Sequence, residues 1–422
     1  MPTARSRCER PTADSGDRPT RKSSASCTPS RRLFPPRPKG LRHKGKKTVT
    51  HETVNGTVTI ERTVYWSKAT GTLHPTDRWL GIEQHRVSPG VREMCCLEAL
   101  DSSFGHVARS LRRTAQLTLS EDRIRRVVEA EGHRVIATQR AGSIPPSFTA
   151  AACSDGVMVT GADGVFVPVV PESQKAKRRA TEAAKRQGAG RRSRRRPGRP
   201  KTGADGPYKE AKVLAFYSQD KSKLHVAATL ADSEGFGRMM RREAAKVKLG
   251  QATFSYSVAD GAPWIERQYR LKLPMLNEHI LDWYHLKEHV VKTSHAVYGE
   301  GSSKAQVWQT TMLDAAWEQG SRVMLHRLAP YVRRHTEQRR ASLTSLRDYV
   351  ERRISKTDYP SFRAQGYDCG SGPTESQCGT LTARVKGSGM RWDSDNVEAM
   401  LALAALDHSR QWAAYWALQR AA

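Results

Sequence analysis

The chain has 422 residues and a mass of 47.1 kDa, which gives room for two or three domains and at least one sizeable core. Lys and Arg total 71 against 42 Asp and Glu, a formal net charge of +29 with pI near 10.2, so a polyanionic partner is the expectation and a small stapled scaffold is excluded. No run approaches the ~18 apolar residues of a membrane helix and the first thirty residues lack the apolar core of a signal peptide, so the reading is a cytoplasmic chain with no membrane partner. The seven cysteines form an odd set without a C-x-x-C pair, which indicates neither a disulfide framework nor a zinc ribbon.

Residues 1–50 hold 14 Lys or Arg against 3 acids with almost no large apolar residue, and are expected to be a disordered basic tail. Residues 51–87 read as a small accessory module whose alternation, THETVNGTVTIERTVYW, predicts a β-hairpin turning at Asn55-Gly56. Residues 88–148 read as a helical module with apolar-periodic stretches at 104–113 and 121–131. Ser120 is the N-cap of the second stretch and Gly132 its stop. The connection LRRTAQLTLSED fits a helix-turn-helix that would present Arg123, Arg125 and Arg126 to a major groove, or an ordinary αα-hairpin.

From about residue 149 the period becomes that of strands, with SDGVMVT, AKVLAFYS, KLHVAATL, ATFSYSVADG and HILDWYH as five runs of an α/β domain with a mixed sheet. Residues 149–290 form its first part. Between its first two strands, residues 174–201 carry 13 basic residues against 1 acid and are expected to be a mobile loop that binds phosphate backbone through Arg191, Arg192, Arg194, Arg195, Arg196, Arg199 and Lys201. Residues 291–365 read as a helical insertion. Residues 366–422 return to the α/β domain and end in one apolar helix over 396–420.

Three acids fall where chemistry is possible. Asp155 opens the first strand, Asp260 ends the fourth, and Glu375 in GSGPTES sits at a helix start after a Gly-Pro lead-in. Carboxylates converging from separate elements hold two Mg²⁺ ions ~3.5–4 Å apart in phosphoryl transfer, whereas each acid taken alone is equally a turn or cap residue. His285 and His289 have i, i+4 spacing, but HLKEH is not a zincin motif.

The motifs SDGVMVT, SVADGAPW, ILDWYHLKEH and GSGPTES running on to RVKGSGMRW resemble the DDE transposases of bacterial insertion sequences, most closely the Kra-type family, related to the Mutator-like group. The resemblance runs from about Tyr65 to Trp416. It implies an RNase H-like α/β fold with a helical insertion, two Mg²⁺ (or Mn²⁺) ions held by Asp155, Asp260 and Glu375, and an Asp-x-x-His signature at Asp282 and His285. In that signature Asp282 supports the site and His285 serves catalysis. The 115 positions between Asp260 and Glu375 leave room for the insertion. Lys386, Arg391 and Trp392 fall where DNA would be held, with Trp392 either stacking on an unpaired base or buried as a core residue.

The implied activity is DNA cleavage at element ends and strand transfer into target DNA by a homo-oligomer assembled on DNA near the nucleoid. The rival readings are a non-catalytic DNA-binding repressor and a nuclease without joining activity. The chain departs from the resemblance at YWSKATG, residues 65–71, where relatives carry a Cys-x-x-Cys knuckle.

Overall fold

The computed structural model describes residues 40–82, 85–190, 206–335 and 337–421. The chain divides into two compact units, 1–88 and 89–422.

The first unit is a three-stranded antiparallel sheet of β1 (Arg42–Thr53), β2 (Gly56–Ser67) and β3 (Gly71–Leu73), followed by a short helix α1 (Pro75–Trp79). β1 and β2 pair from Thr53↔Gly56 outward. The turn therefore falls at Val54-Asn55, with Gly56 at φ +101° opening the return strand. Of the basic tail expected over 1–50, residues 42–50 are strand, because their Thr, Val and Lys side chains pair with the alternating face of β2; residues 1–39 lie outside the described residues.

The second unit opens with three helices, α2 (Pro89–Asp101), α3 (Phe104–Thr114) and α4 (Glu121–Arg140). Ser120 caps α4 by accepting from Arg123 N at 3.2 Å. Gly132 is not the stop it was expected to be, since α4 continues to Arg140. Its lack of a side chain serves packing instead: a Cβ there would lie 2.5 Å from the carbonyl oxygen of Ala399, where α14 (Ser394–His408) crosses.

The sheet follows with β4 (Val157–Pro168), helix α5 (Glu172–Gly188), β5 (Tyr208–Ser218), β6 (Leu224–Thr229), α6 (Ser233–Lys246), β7 (Phe254–Ala259), α7 (Pro263–Lys272) and β8 (Glu278–Leu281). The spatial order is β6-β5-β4-β7-β8, with β4, β5 and β6 antiparallel and β7 and β8 parallel to β4. The αβ alternation after β6 gives the parallel half, and the long connection from β4 to β5 with the β5–β6 hairpin gives the antiparallel half. On one face Met158, Ala162, Leu214 and Phe216 meet Phe236, Met240, Ile265 and Tyr269 of α6 and α7, all buried.

The segment expected to be a mobile basic loop is helical over its first half. α5 buries no residue at all. Its Ala, Lys, Arg, Glu and Gln content is strongly helix-forming, and Lys175–Glu172 (2.9 Å) and Arg186–Glu182 (3.8 Å) add same-face pairs. Arg191, Arg192, Arg194, Arg195, Arg196, Arg199 and Lys201 lie outside the described residues.

After β8 the insertion consists of α8 (Trp283–Tyr298), α9 (Ser303–Gln319), α10 (Ser321–Arg334), α11 (Glu337–Glu351) and α12 (Tyr359–Ala364). The chain then returns through α13 (Gly372–Ala383), α14 and α15 (Trp412–Ala421). The last two replace the single helix expected over 396–420. They separate at Arg410, in left-handed backbone at φ +53°, next to Ser409, whose side chain closes on both the N–H and the C=O of Val226. Introducing a methyl group by Gly132→Ala should cost about 1–3 kcal/mol through overpacking against Ala399, seen as a lower urea midpoint.

Candidate active site

The parallel register of β4 with β7 runs from Val157↔Phe254 to Gly161↔Val258. Two residues further along each chain, Asp163 comes level with Asp260 at the end of β7 where it opens into the loop before α7. Asp155 precedes the other end of the ladder, eight residues or about 26 Å away along an extended strand. It is exposed, and its Oδ1 accepts from Val157 N at 2.9 Å, an Asx turn that starts the strand. The expectation that Asp155 joins Asp260 is therefore corrected: β4 runs on eight residues past SDGVMVT, and the carboxylate level with Asp260 is Asp163, in its middle.

α13 completes the cluster by crossing β4 at Gly161, where any Cβ would overlap Thr374 Oγ1. Glycine is required there because the helix lies directly on the strand. This approach brings the first turn of α13, with Glu375, over the same end of the sheet. Burial first, and then the charges of Asp260 and Glu375, raise the Asp163 carboxyl above its ordinary range, against the pull of the Gly164 N–H and the Cys378 thiol. The Asp163 carboxyl thus lies within electrostatic reach of both Asp260 and Glu375.

The neighbouring residues hold each carboxylate. Asp163 Oδ1 accepts from Gly164 N at 2.6 Å, and Asp260 Oδ1 from Ala262 N at 2.8 Å. Glu375 Oε1 lies 2.6 Å from Ser371 Oγ, which also stands 3.0 Å from Asp282 Oδ2. Asp282 is the buried residue at the end of β8 that caps α8 through Tyr284 N (3.2 Å) and accepts from Ser371 N (3.2 Å). Burial, with a smaller contribution from Glu375, holds its carboxyl above the usual range.

From the insertion, Tyr349 Oη donates to the Asp260 carbonyl at 3.3 Å and Arg353 Nη2 to the Gly261 carbonyl at 2.8 Å. The Tyr349 ring stacks on His289 with centroids 3.9 Å apart, and His289 meets His285 edge-on at 5.3 Å. Burial, followed by His285, Lys292 and Arg353, lowers His289 to about 4, so it is neutral at physiological pH. His285 is partly exposed, 3.6 Å by its Nδ1 from Glu288. Among the described residues, its link to Asp260 runs through His289 and Tyr349.

Other expected residues are distributed differently. Trp392 is 8 % exposed, edge-on to Phe104 at 5.8 Å with the Arg384 guanidinium 4.9 Å from its ring centroid, so it is a core residue and its placement among DNA contacts is corrected. Lys386 and Arg391 are exposed after α13. Arg126 is paired with Asp122 on its own helix (2.5 Å), as Arg125 is with Asp122 and Glu129. Cys95, Cys96, Cys153, Cys369 and Cys378 are free and buried.

A metal set has a defined donor chemistry here: three carboxylates from three elements, which suits a hard divalent cation, while burial keeps the neighbouring Cys378 thiol protonated. The like charges that raise Asp163 are the kind of repulsion a bound cation relieves. As the side chains stand, no three His, Cys, Asp or Glu residues among the described residues form a set ready to hold a metal ion. Asp163 was missed by sequence reading because Gly161-Ala162-Asp163-Gly164 looks like a turn ending a short strand. The signal that would have found it is the apolar run Val165–Val170 immediately after, which continues the strand through the glycines.

Comparison with known proteins gives the following. Residues 39–190 match the profile of UPF0236, an uncharacterised protein family, which covers a little over a third of the chain. No curated protein matches. By structure, the chain is similar to the Drosophila P element transposase strand transfer complex, at 10 % identity over 75 % of this chain and 90 % of that one, with a TM-score of 0.35. It is also similar to the Mos1 strand transfer complex, at 11 % identity over 64 % and 78 % with a TM-score of 0.17. The third is the Mos1 transposase paired-end complex with left transposon end, at 9 % identity over 64 % and 79 % with a TM-score of 0.16. None of the described helices is long and apolar enough to cross a membrane.

The raised Asp163 carboxyl predicts a sign. A carboxyl held higher in the folded than in the unfolded chain contributes stability that is complete below the unfolded value and lost as pH rises through the folded one. In EDTA, Asp163→Asn should therefore be more stable than wild type at pH 7, by urea denaturation. The difference should vanish by about pH 3, below the ordinary carboxyl range.

Proposed function

We propose that this chain is a DNA-processing enzyme of the transposase type, with an RNase H-like catalytic domain whose carboxylates are Asp163, Asp260 and Glu375. The observation that carries this reading is the β4–β7 register, which puts Asp163 beside Asp260 at the sheet end crossed by the first turn of α13. The finer placement among Kra-type insertion-sequence transposases rests on SVADGAPW, ILDWYHLKEH and GSGPTES in the sequence.

Asp163, Asp260 and Glu375 would hold magnesium or manganese. Such ions, when bound, activate an attacking oxygen and stabilise a leaving one in phosphoryl transfer. The chain's own residues supply the frame. Gly161 lets α13 descend onto β4, Ser371 and Asp282 fix the Glu375 carboxylate, and Tyr349 and Arg353 hold the Asp260-Gly261 backbone from the insertion. Water would cut one strand at an element end, and the freed 3′-hydroxyl would attack target DNA, with two ends brought together by more than one copy of the chain.

α5 would provide sequence-independent attachment. It carries six Lys or Arg against two Glu over 17 residues, buries none of them, and follows directly from the strand that bears Asp163. Among the described residues Lys177, Arg178 and Lys185 form no ion pair. Replacing these three by Ala, which preserves helix propensity, should weaken duplex binding and reduce the slope of log K against log salt by up to ~3, at ~0.9 per phosphate contact, in salt-dependent anisotropy.

The deciding experiment is cleavage and strand transfer on DNA carrying the flanking element ends, with Mg²⁺. Asp163→Asn and Glu375→Gln should each lower both steps by at least ~10³-fold while DNA binding persists, and Asp155→Asn should stay close to wild type. Cleavage without joined product would instead indicate a nuclease. Binding without cleavage in the wild type would indicate a repressor.

A further inference from the structure

α8 has two faces of different character. Leu286, Val290, Thr293, Ser294 and Val297 are buried and carry its packing within the insertion. The opposite stripe, Tyr284, Lys287, Glu288, Val291, Lys292 and His295, follows i, i+3, i+4, i+7, i+8 and i+11 spacing and lines an open groove of about 510 Å³. Tyr284 is 61 % exposed, and its ring lies over Gly370, where a Cβ would come within 3.2 Å of it. The next residue is Ser371, whose hydroxyl contacts Glu375. Neither Lys287 nor Lys292 is engaged by a carboxylate among the described residues, while Glu288 faces His285 on the same helix.

We propose that this stripe is a binding track for a single strand of DNA leaving the candidate active site, with Tyr284 stacking on an unpaired base and Lys287 and Lys292 contacting the phosphates. This rests on the transposase reading above and deepens it by assigning where the unpaired strand lies. A base inside a duplex has both faces covered by its neighbours, so an exposed aromatic ring among cations selects an unpaired one, without regard to sequence. The order of groups fits such a strand: the ring is at the end nearest Glu375, and the lysines follow at one and about two turns along the helix. Val291 lies between the two lysines in sequence and adds an apolar contact for a base edge or sugar.

The test is fluorescence anisotropy in EDTA, where cleavage is stopped, using a labelled blunt duplex and the same duplex with a single-stranded overhang. Tyr284→Ala should raise the Kd for the overhang DNA about tenfold while leaving the blunt duplex within about twofold, and Tyr284→Phe should bind both as wild type does. Lys287→Ala with Lys292→Ala should weaken overhang binding and flatten its salt dependence. With 2-aminopurine in the overhang, wild type and Tyr284→Phe should quench its fluorescence and Tyr284→Ala should not. The proposal is overturned if Tyr284→Ala binds the overhang as tightly as wild type, or if it loses both DNAs equally. A wild-type protein that binds neither DNA overturns the transposase reading as well. Unchanged overhang binding by Tyr284→Ala, alongside Asp163-dependent cleavage, overturns this inference alone.

Discussion

Everything at the candidate site depends on the close approach of α13 to β4 over Gly161. A helix normally rests on a sheet through a layer of side chains. Here the backbone of β4 is bare beneath Thr374, and the first turn of α13 comes close enough for the Glu375 charge to act on Asp163. The other half of the constraint is the parallel pairing of β4 with β7, which sets Asp260 level with Asp163. A one-residue slip in that pairing would turn one carboxylate to the opposite face of the sheet.

The helical insertion is tied to this arrangement from two sides. Through Asp282 and Ser371, the junction between β8 and α8 reaches Glu375. Through Tyr349 and Arg353, the end of α11 holds the carbonyls of Asp260 and Gly261. Arg353 also packs over the Tyr349 ring at 4.2 Å and pairs with Glu266 at 3.1 Å. Hydrogen bonds from charged donors, largely shielded from water, are the strong kind, so the insertion fixes backbone that the core sheet alone would leave as a loop.

Charge is divided in a way that fits a polyanionic substrate. α5 carries six Lys or Arg and buries no residue, while Asp163, Asp260 and Glu375 lie at one sheet end. Several basic residues that look free in sequence are neutralised locally, as Arg125 and Arg126 are by Asp122 and Glu129. Net charge therefore overstates the cationic surface of the helical module and understates that of α5.

The five strands, the helical stretch before Glu375 and the cap at Ser120 were legible in the sequence, because each is a local matter of apolar period and capping chemistry. The places of Asp260 at a strand end and of Glu375 at a Pro-led helix start were legible too, since both are written in neighbouring residues. What the sequence left open depended on pairing and packing between distant segments. Gly132 is a helix stop by local rules and a helix-crossing point only because Ala399 arrives 267 positions later. Trp392 is an aromatic residue of open role until Phe104 and Arg384 close around it. The apolar run after Gly164 extends the strand past Asp163, but which of Asp155 and Asp163 lies level with Asp260 is not a local matter, since both are followed by glycine. It was decided by the register of β4 against β7 and by the helix that crosses at Gly161, contacts that exist only once the chain has folded.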